Sequence, residues 1–309
     1  MTMTEPEIRG RVGVSTESLT AAGETGLPTT SLGELPAPVL PRYCLVTTAD
    51  IVPDSDIHWE SGKTLRAYPN PNIQPWTIET GGASKPDPAT FRQVTTKSFW
   101  VVGVWQCDSG GIITPEEFSQ RAAESFLAWE TVAVEKQFWA NGLNLDPFLA
   151  IAKAADHATY SAGDSVNVLN SGTATQPIAA LAELEDYIGE FPLPGVIHAR
   201  PGFGSMLGFP YLQPAGQKLE TIMGTKLVVG SGYPGTGVNG ASASALQEWV
   251  FATGPVEIRR SEVVPFDRAP IVVDRDQNNW TIYYERNYLV TFDPLIHAAI
   301  LIDRSKGLG

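Results

Sequence analysis

Residues 114–141 constrain the fold more than any other stretch of this 309-residue chain. Thr114-Pro115-Glu116-Glu117 is a capping box: a threonine cap, proline at the first helical position, and glutamate three residues after the cap. Phe118, Ala122, Phe126, Trp129 and Ala133 follow at spacings of four, four, three and four, and Leu127, Val134 and Phe138 widen the apolar face. Asn141-Gly142 supplies the stop. Such a helix is ~40 Å long at about 1.5 Å per residue, longer than most helices in globular domains. Phe118, Phe126, Trp129, Val134 and Phe138 are expected to pack it against the rest of the chain.

Around this helix the pattern is mixed. Residues 1 to about 41 are rich in Thr, Ser, Gly, Pro and Glu, and Leu35-Pro-Ala-Pro-Val-Leu-Pro41 favours extended backbone. A disordered tail and an arm that orders against neighbouring subunits both fit. Tyr43-Cys-Leu-Val-Thr-Thr48 and Ser98–Cys107 read as strands. Between them stand Pro69, Pro71, Pro75, Gly81, Gly82, Pro86 and Pro88. An insertion of this size suits a projecting hairpin that finds its burial on another chain. A second helix is expected from Gln176 to Glu190, capped by Thr175, with Ile178, Leu181, Leu184, Tyr187 and Ile188 as its apolar stripe. Gly195–Ala199 and Thr225–Val229 read as strands, with a short helix near Phe203–Leu207, and a glycine-rich loop runs from Gly230 to Gly240. Trp249–Ile258 reads as strand, turn, strand. Ile271–Asp274, Trp280–Tyr288 and a central strand His297–Ile302 close an antiparallel sheet.

Composition narrows the function. A formal net charge of −13 disfavours tight nucleic-acid binding, because an acidic chain repels phosphate. Charged residues make up only 18%, which fits a subunit covered by neighbours. Cys44 and Cys107 form no CxxC pair, so neither a disulfide framework nor a thiolate zinc site is supported. No secretory signal is visible, and the apolar stretch Leu289–Ile302 is interrupted by Asp293, Pro294 and His297. A soluble chain made in a cytoplasm, without membrane contact, is expected.

The order of elements resembles the major capsid protein of tailed bacteriophages, a fold shared with encapsulin shells. Ala128–Gly142, Gly195-Val-Ile-His198, Gly224–Tyr233, Ala252–Arg260, Tyr283–Tyr288 and His297–Ile302 look like the corresponding stretches of actinobacterial-phage capsid proteins. The resemblance implies an α+β fold with an N-terminal arm (1–45) and an extended loop with flanking strands (46–110). It implies a peripheral domain with the spine helix (111–175 and 256–309) and an axial domain (176–255). It implies a structural protein, not an enzyme, and no cofactor. Copies of the chain would assemble as hexamers and pentamers into an icosahedral head around double-stranded DNA in a bacterial cytoplasm. Portal, and separate scaffolding or decoration proteins, would be its partners. Gly230, Gly232, Tyr233, Gly235 and Gly237 would lie in a loop near the capsomer axis. Lys63, Lys85 and Lys97 would lie on or near the hairpin. In some relatives a hairpin lysine bonds covalently to an asparagine of the neighbouring sheet, for which Asn278 or Asn279 would serve here; the alternative is ordinary surface lysines. An encapsulin-type compartment filled with cargo protein is the alternative function.

Enzyme signals are weaker. Gly230-Ser-Gly232-Tyr-Pro-Gly235 matches GxGxxG, yet Pro234, Gly235, Gly237 and Gly240 argue against the helix a dinucleotide site needs. Gly163-Asp-Ser165-Val is similar to the nucleophile motif of a lipase-like hydrolase family, leaving a serine hydrolase as a third reading; Asp293 and His297 stand one residue too far apart for its second motif. Asp274, Asp276, Asn278 and Glu285 imitate a calcium loop without its glycine. His58, His157, His198 and His297 show no close ligand spacing.

Overall fold

The computed structural model describes residues 41–52, 59–67, 92–108, 114–140, 148–150, 166–265, 271–274, 279–293 and 296–306, all within the unit Val39–Gly309. The expected arm, the outer hairpin Pro69–Thr90 with Lys85, the stop Asn141-Gly142, Ser165, Asp276, Asn278, His58 and His157 lie outside the described residues.

The elements are α1 (Leu45–Thr48), β1 (Asp50–Ile51), β2 (Lys63–Ala67), β3 (Arg92–Thr96), β4 (Phe99–Asp108) and α2 (Pro115–Ala140). There follow β5 (Asn167–Val168), α3 (Pro177–Gly189), β6 (Val196–Ala199), α4 (Pro201–Leu207), β7 (Leu212–Ala215), β8 (Lys218–Thr221) and β9 (Lys226–Val229). The chain continues through β10 (Gln247–Thr253), β11 (Val256–Arg260), β12 (Val264–Pro265), β13 (Ile271–Asp274), β14 (Asn279–Phe292) and β15 (His297–Asp303). The fold is α+β, with two main sheets. In the first, β14 is the hub: β4 pairs with it along one side, and β11, β12 and β13 pair with it in turn. The second has the order β5-β15-β10-β6-β9-β8-β7. β2 and β3 form a separate two-stranded sheet.

After α2 has carried the chain from β4 in the first sheet to β5 in the second, it passes between the main sheets at two further crossovers. β10 lies in the second sheet and β11 in the first, separated by Gly254-Pro255; β14 lies in the first and β15 in the second. The crossovers touch, since the Gly254 N–H donates to the Ile296 carbonyl at 3.0 Å. Trp249–Ile258 is strand, turn, strand, as expected, and its two strands serve different sheets. One expectation changes here. The last strand does not join the sheet of Ile271–Asp274 and Trp280–Tyr288; it pairs with β10 over seven residues of the second. Every residue from His297 to Ile300 is buried, so the segment satisfies its backbone and both its faces only inside the second sheet.

Helix α2 begins as its sequence predicts. The Thr114 hydroxyl accepts the Glu117 N–H at 3.2 Å, and Pro115 needs no donor. Its buried residues include Phe118, Ala122, Phe126, Glu130, Val134 and Phe138, a single i+4 row, joined in the C-terminal half by Thr131, Glu135 and Trp139. The first half packs on the first sheet: Phe126 meets Trp105 and Tyr284, with ring centroids 6.2 and 6.4 Å away. The second half reaches strands of the other sheet. Phe138 packs edge-on against His198 of β6 as well as Phe292 at the end of β14, and Trp139 against Phe251 of β10. One helix therefore packs on both sheets, which accounts for its length. Trp129 is corrected: it is 66% exposed. The row continues through Glu130, whose charge disguises it in a hydrophobic reading, and Trp129 falls on the opposite flank.

Two local expectations also change. Tyr43–Thr48 is a helical turn, not a strand. The Leu45 N–H donates to the Glu135 carboxylate at 3.0 Å, and Cys44, Leu45 and Val46 are buried, so tertiary contacts override β-branched propensity. Thr175 does not cap α3. Its backbone is engaged with β15 through Leu301 and Asp303, and Gln176 takes the cap position without a side-chain bond.

Helices α3 and α4 cover one face of the second sheet. Ala180, Leu181, Leu184, Ile188, Phe203 and Leu207 form a core with Ile197, Val250, Ala252, Ala298 and Ile300. The opposite face, with Val228, Phe251 and Ala299, joins the core beneath α2.

Candidate functional site

The interior where α2 meets the two sheets is polar at a few points. Arg286 donates to Glu130 at 2.7 Å, and both are nearly inaccessible. Burial still pushes the Glu130 carboxyl up from its ordinary range, outweighing the Tyr288 hydroxyl and the pull of Arg286 and Arg260. Glu135 is fully buried; its two oxygens accept the Leu45 N–H at 3.0 Å and the Gly232 N–H at 2.8 Å. Desolvation lifts its carboxyl to about 7 against these two bonds. His198 bonds the Tyr233 hydroxyl at 3.1 Å and the Thr253 hydroxyl at 3.0 Å. Burial holds His198 and His297 down to about 3, so both are neutral core imidazoles. His297 packs between the rings of Phe251 and Phe292, a placement that does not suit a solvent-facing general base.

The glycine-rich loop serves this interior. Gly230, Gly232, Tyr233, Gly235 and Gly237 are all buried. A Cβ on Gly230 would stand 2.7 Å from the Glu135 carboxyl carbon, and one on Gly232 would stand 2.4 Å from the Val132 carbonyl oxygen. Only glycine permits that approach. The Tyr233 ring packs at a tilt against Trp139, with centroids 4.8 Å apart, and the Trp139 indole N–H donates to the Thr236 carbonyl at 2.9 Å. Gly235 and Gly237 instead approach Arg200 and Trp249, so the five named residues pack within the chain, while Ser231, Pro234, Asn239 and Gly240 of the same loop are exposed. No α-helix opens after β9, so the loop's N–H groups have no helix terminus to join in cradling a pyrophosphate.

Several large apolar side chains cluster on the exterior. Along β4, Phe99 and Val101 face the core, while Trp100, Val102 and Val104 point outward and are 48–55% exposed. Among the described residues β4 pairs only with β14, and Phe99–Asp108 contains neither the lysine nor the proline that commonly protects a sheet edge. Trp129 stands on the outer flank of α2. A third surface joins two turns: Phe209, after α4, is 86% exposed, and Ile222 and Met223, between β8 and β9, are 59% and 75% exposed. The Ile222 N–H donates to the Tyr211 carbonyl at 3.1 Å, which holds these turns together. Scattered exposed apolar side chains are ordinary, but clusters of this kind mark contact surfaces.

Of the residues singled out from sequence, Phe118, Phe126, Val134 and Phe138 are buried and Trp129 is exposed. Lys63 lies in β2 opposite Thr96, Lys97 is exposed between β3 and β4, and Asn279 is buried in β14 opposite Asp108. Asp274 and Glu285 lie in β13 and β14, strands where a calcium loop would need helices. The outer row of β4 was readable in part, since the strand is apolar in both registers. The 209–223 surface carries a fainter sign: Phe209 sits between Gly208 and Pro210, and Met223 precedes Gly224, so large apolar residues occupy turn positions.

No protein-family model matches the chain, and no curated protein matches it. Solved structures do. The capsid of a native GTA particle superposes with a TM-score of 0.56 at 11% identity, over 94% of this chain and 99% of that chain. An encapsulin of Synechococcus elongatus, in its holo-SrpI complex, gives 0.52 at 12% identity, over 94% and 97%. A chain from Mycobacterium phage Cain gives 0.50 at 12% identity, over 89% and 92%. The likeness runs through nearly the whole of each chain while identity stays at 11–12%, so what is shared is topology: this chain has the fold of phage-type capsid subunits and of an encapsulin shell.

Proposed function

We propose that this protein is the major subunit of a phage-type capsid, self-assembling as hexamers and pentamers into an icosahedral shell around double-stranded DNA. The observation that carries this reading is the set of apolar surfaces on β4, on α2 at Trp129 and at residues 209–223, on a chain whose fold is that of shell subunits. Obligate interfaces often bury about 2,000–5,000 Å², at about 25 cal/mol per Å² of apolar area before ordering costs are deducted. The net charge of −13 suits a wall that encloses DNA without binding it tightly. In this reading the first sheet and α2 form the peripheral lobe. The second sheet forms the axial lobe, which then includes β15. The β2–β3 hairpin, a two-stranded sheet that is marginal alone, reaches across neighbouring copies. Portal, scaffolding and decoration proteins complete the head.

In this reading Phe209, Ile222 and Met223 form a self-contact of the axial lobe. Changing Phe209 and Met223 to aspartate together is expected to leave the unassembled chain folded, with an unchanged far-ultraviolet spectrum, and to reduce particle yield by at least tenfold. Sedimentation of the expressed protein measures this; wild-type particle yield would refute the assignment.

The second reading is an encapsulin-type compartment, favoured by the fold likeness to an encapsulin. Electron microscopy of purified particles, followed by extraction of their contents, separates the two: DNA supports a phage head and a packaged protein supports a compartment. A small discrete oligomer in light scattering would overturn both. Purified particles are also expected to run as a single monomer-sized band on denaturing gels, because Asn279 is buried within its own sheet. A ladder of covalent multimers would contradict this.

A further inference from the structure

We infer that Glu135 acts as a proton-dependent clasp, tying the turn at Leu45 to the glycine-rich loop at Gly232 across the long helix. The inference concerns contacts within one chain and does not depend on the shell reading. Its basis is geometric. Three segments remote in sequence converge on one carboxyl group that is fully buried. Two of them, α1 and the loop after β9, are held to it by their backbone N–H groups alone at this point. The loop approaches so closely that Gly230 and Gly232 leave no room for a Cβ. The same two segments are tied nearby through a second bond, the Val229 N–H donating to the Tyr43 carbonyl at 2.9 Å. The clasp thus ties the turn at Tyr43–Leu45 and the loop after β9 to each other and to α2.

The groups facing this carboxyl offer it no compensating charge. From α1 comes Cys44, whose thiol bonds the Thr47 hydroxyl at 3.3 Å. From the loop comes Tyr233, which burial, Glu135 and Cys44 together push well above its ordinary range. From the second sheet comes His198, neutral, which reaches the cluster through the Tyr233 hydroxyl. On α2 the next acid, Glu130, is already paired with Arg286. Among the described residues no basic side chain contributes to the charge state of Glu135.

The sign follows from linkage. Closed, the carboxyl loses its proton at about 7; opened to water, it returns to its ordinary 4.5. Between these values the open form sheds a proton that the closed form keeps. The clasp is therefore fully held below pH 4.5, loosens as pH rises, and levels off above pH 7. Its opening equilibrium changes by up to about 300-fold over that window.

Hydrogen–deuterium exchange of the full-length unassembled chain, between pH 4.5 and 8 and corrected for intrinsic exchange, tests the clasp. Protection of the Leu45 and Gly232 amides is expected to fall by about one hundred-fold or more, while that of Ile197 and His198 in β6 changes less than threefold. In Glu135→Gln the Leu45 and Gly232 amides are expected to lose this pH dependence. Flat protection in the wild type overturns the inference, as does an equal fall in Glu135→Gln or a parallel fall in β6. Should Glu135→Gln fail to fold, the wild-type contrast between the clasp amides and β6 decides by itself.

Discussion

Arg286→Ala is expected to destabilise the unassembled chain by about 3–5 kcal/mol, the usual result of removing one partner of a buried ion pair. The reason is Glu130. It occupies the buried i+4 row of α2 between Phe126 and Val134, and its carboxylate is held by Arg286 at 2.7 Å. Without the guanidinium, a charged group remains in a site that already disfavours charge, since burial raises its proton affinity even with Arg286 present. The chain then unfolds at lower denaturant or protonates Glu130. The defect should accordingly be smaller at pH 4 than at pH 8, because a neutral carboxyl needs no counter-ion. Urea titration at both pH values measures this, with a midpoint fall of about 1 M or more at pH 8. Replacing both residues together, Glu130→Leu with Arg286→Leu, should recover most of the loss, because two apolar groups of similar volume leave no buried charge. A double variant as unstable as Arg286→Ala would show that the pair also does something packing cannot replace.

Trp139→Ala is expected to cost about 3–5 kcal/mol for the same chain. Trp139 is fully buried where α2 meets the second sheet. Its ring lies 4.8 Å from Tyr233 and 4.9 Å from Phe251 by centroid, and its N–H satisfies the Thr236 carbonyl. Truncation would open a cavity among aromatic rings and leave that carbonyl unpaired, adding about 1 kcal/mol. The test is again the urea midpoint, with Trp129→Ala as the control. Trp129 is the same residue type on the same helix but exposed, and its removal should shift stability by less than about 1 kcal/mol. Equal effects at both positions would refute the assigned orientation of α2.

The comparison of these two tryptophans shows what could be read in advance. Local rules located α2 correctly, because a threonine cap, an N1 proline and an i+4 apolar rhythm act within a few residues. They placed most strands for the same reason: alternation and turn residues are properties of short windows. They misjudged the face of α2 at residue 129, since hydrophobicity preferred Trp129 to Glu130, while the structure buries the acid beside an arginine 156 positions away. They also read Tyr43–Thr48 as a strand, because nothing nearby reveals that a glutamate 90 residues on takes the Leu45 N–H. The candidate surfaces were less legible still. Exposure of Phe209 or Trp100 is the absence of a neighbour, and a sequence window does not record which neighbours are missing.

The amino-acid sequence by itself determined the elements, their order and the resemblance of that order to a shell fold, because these follow from backbone propensities, capping and periodicity. Only the tertiary structure decided that the chain crosses between two sheets at Gly254-Pro255 and again after Phe292. It also decided that the glycine-rich loop turns inward against Glu135 and that large apolar groups remain outside. Those outcomes depend on which distant segments satisfy one another's hydrogen bonds and exclude one another's water, a competition settled only when the whole chain has packed.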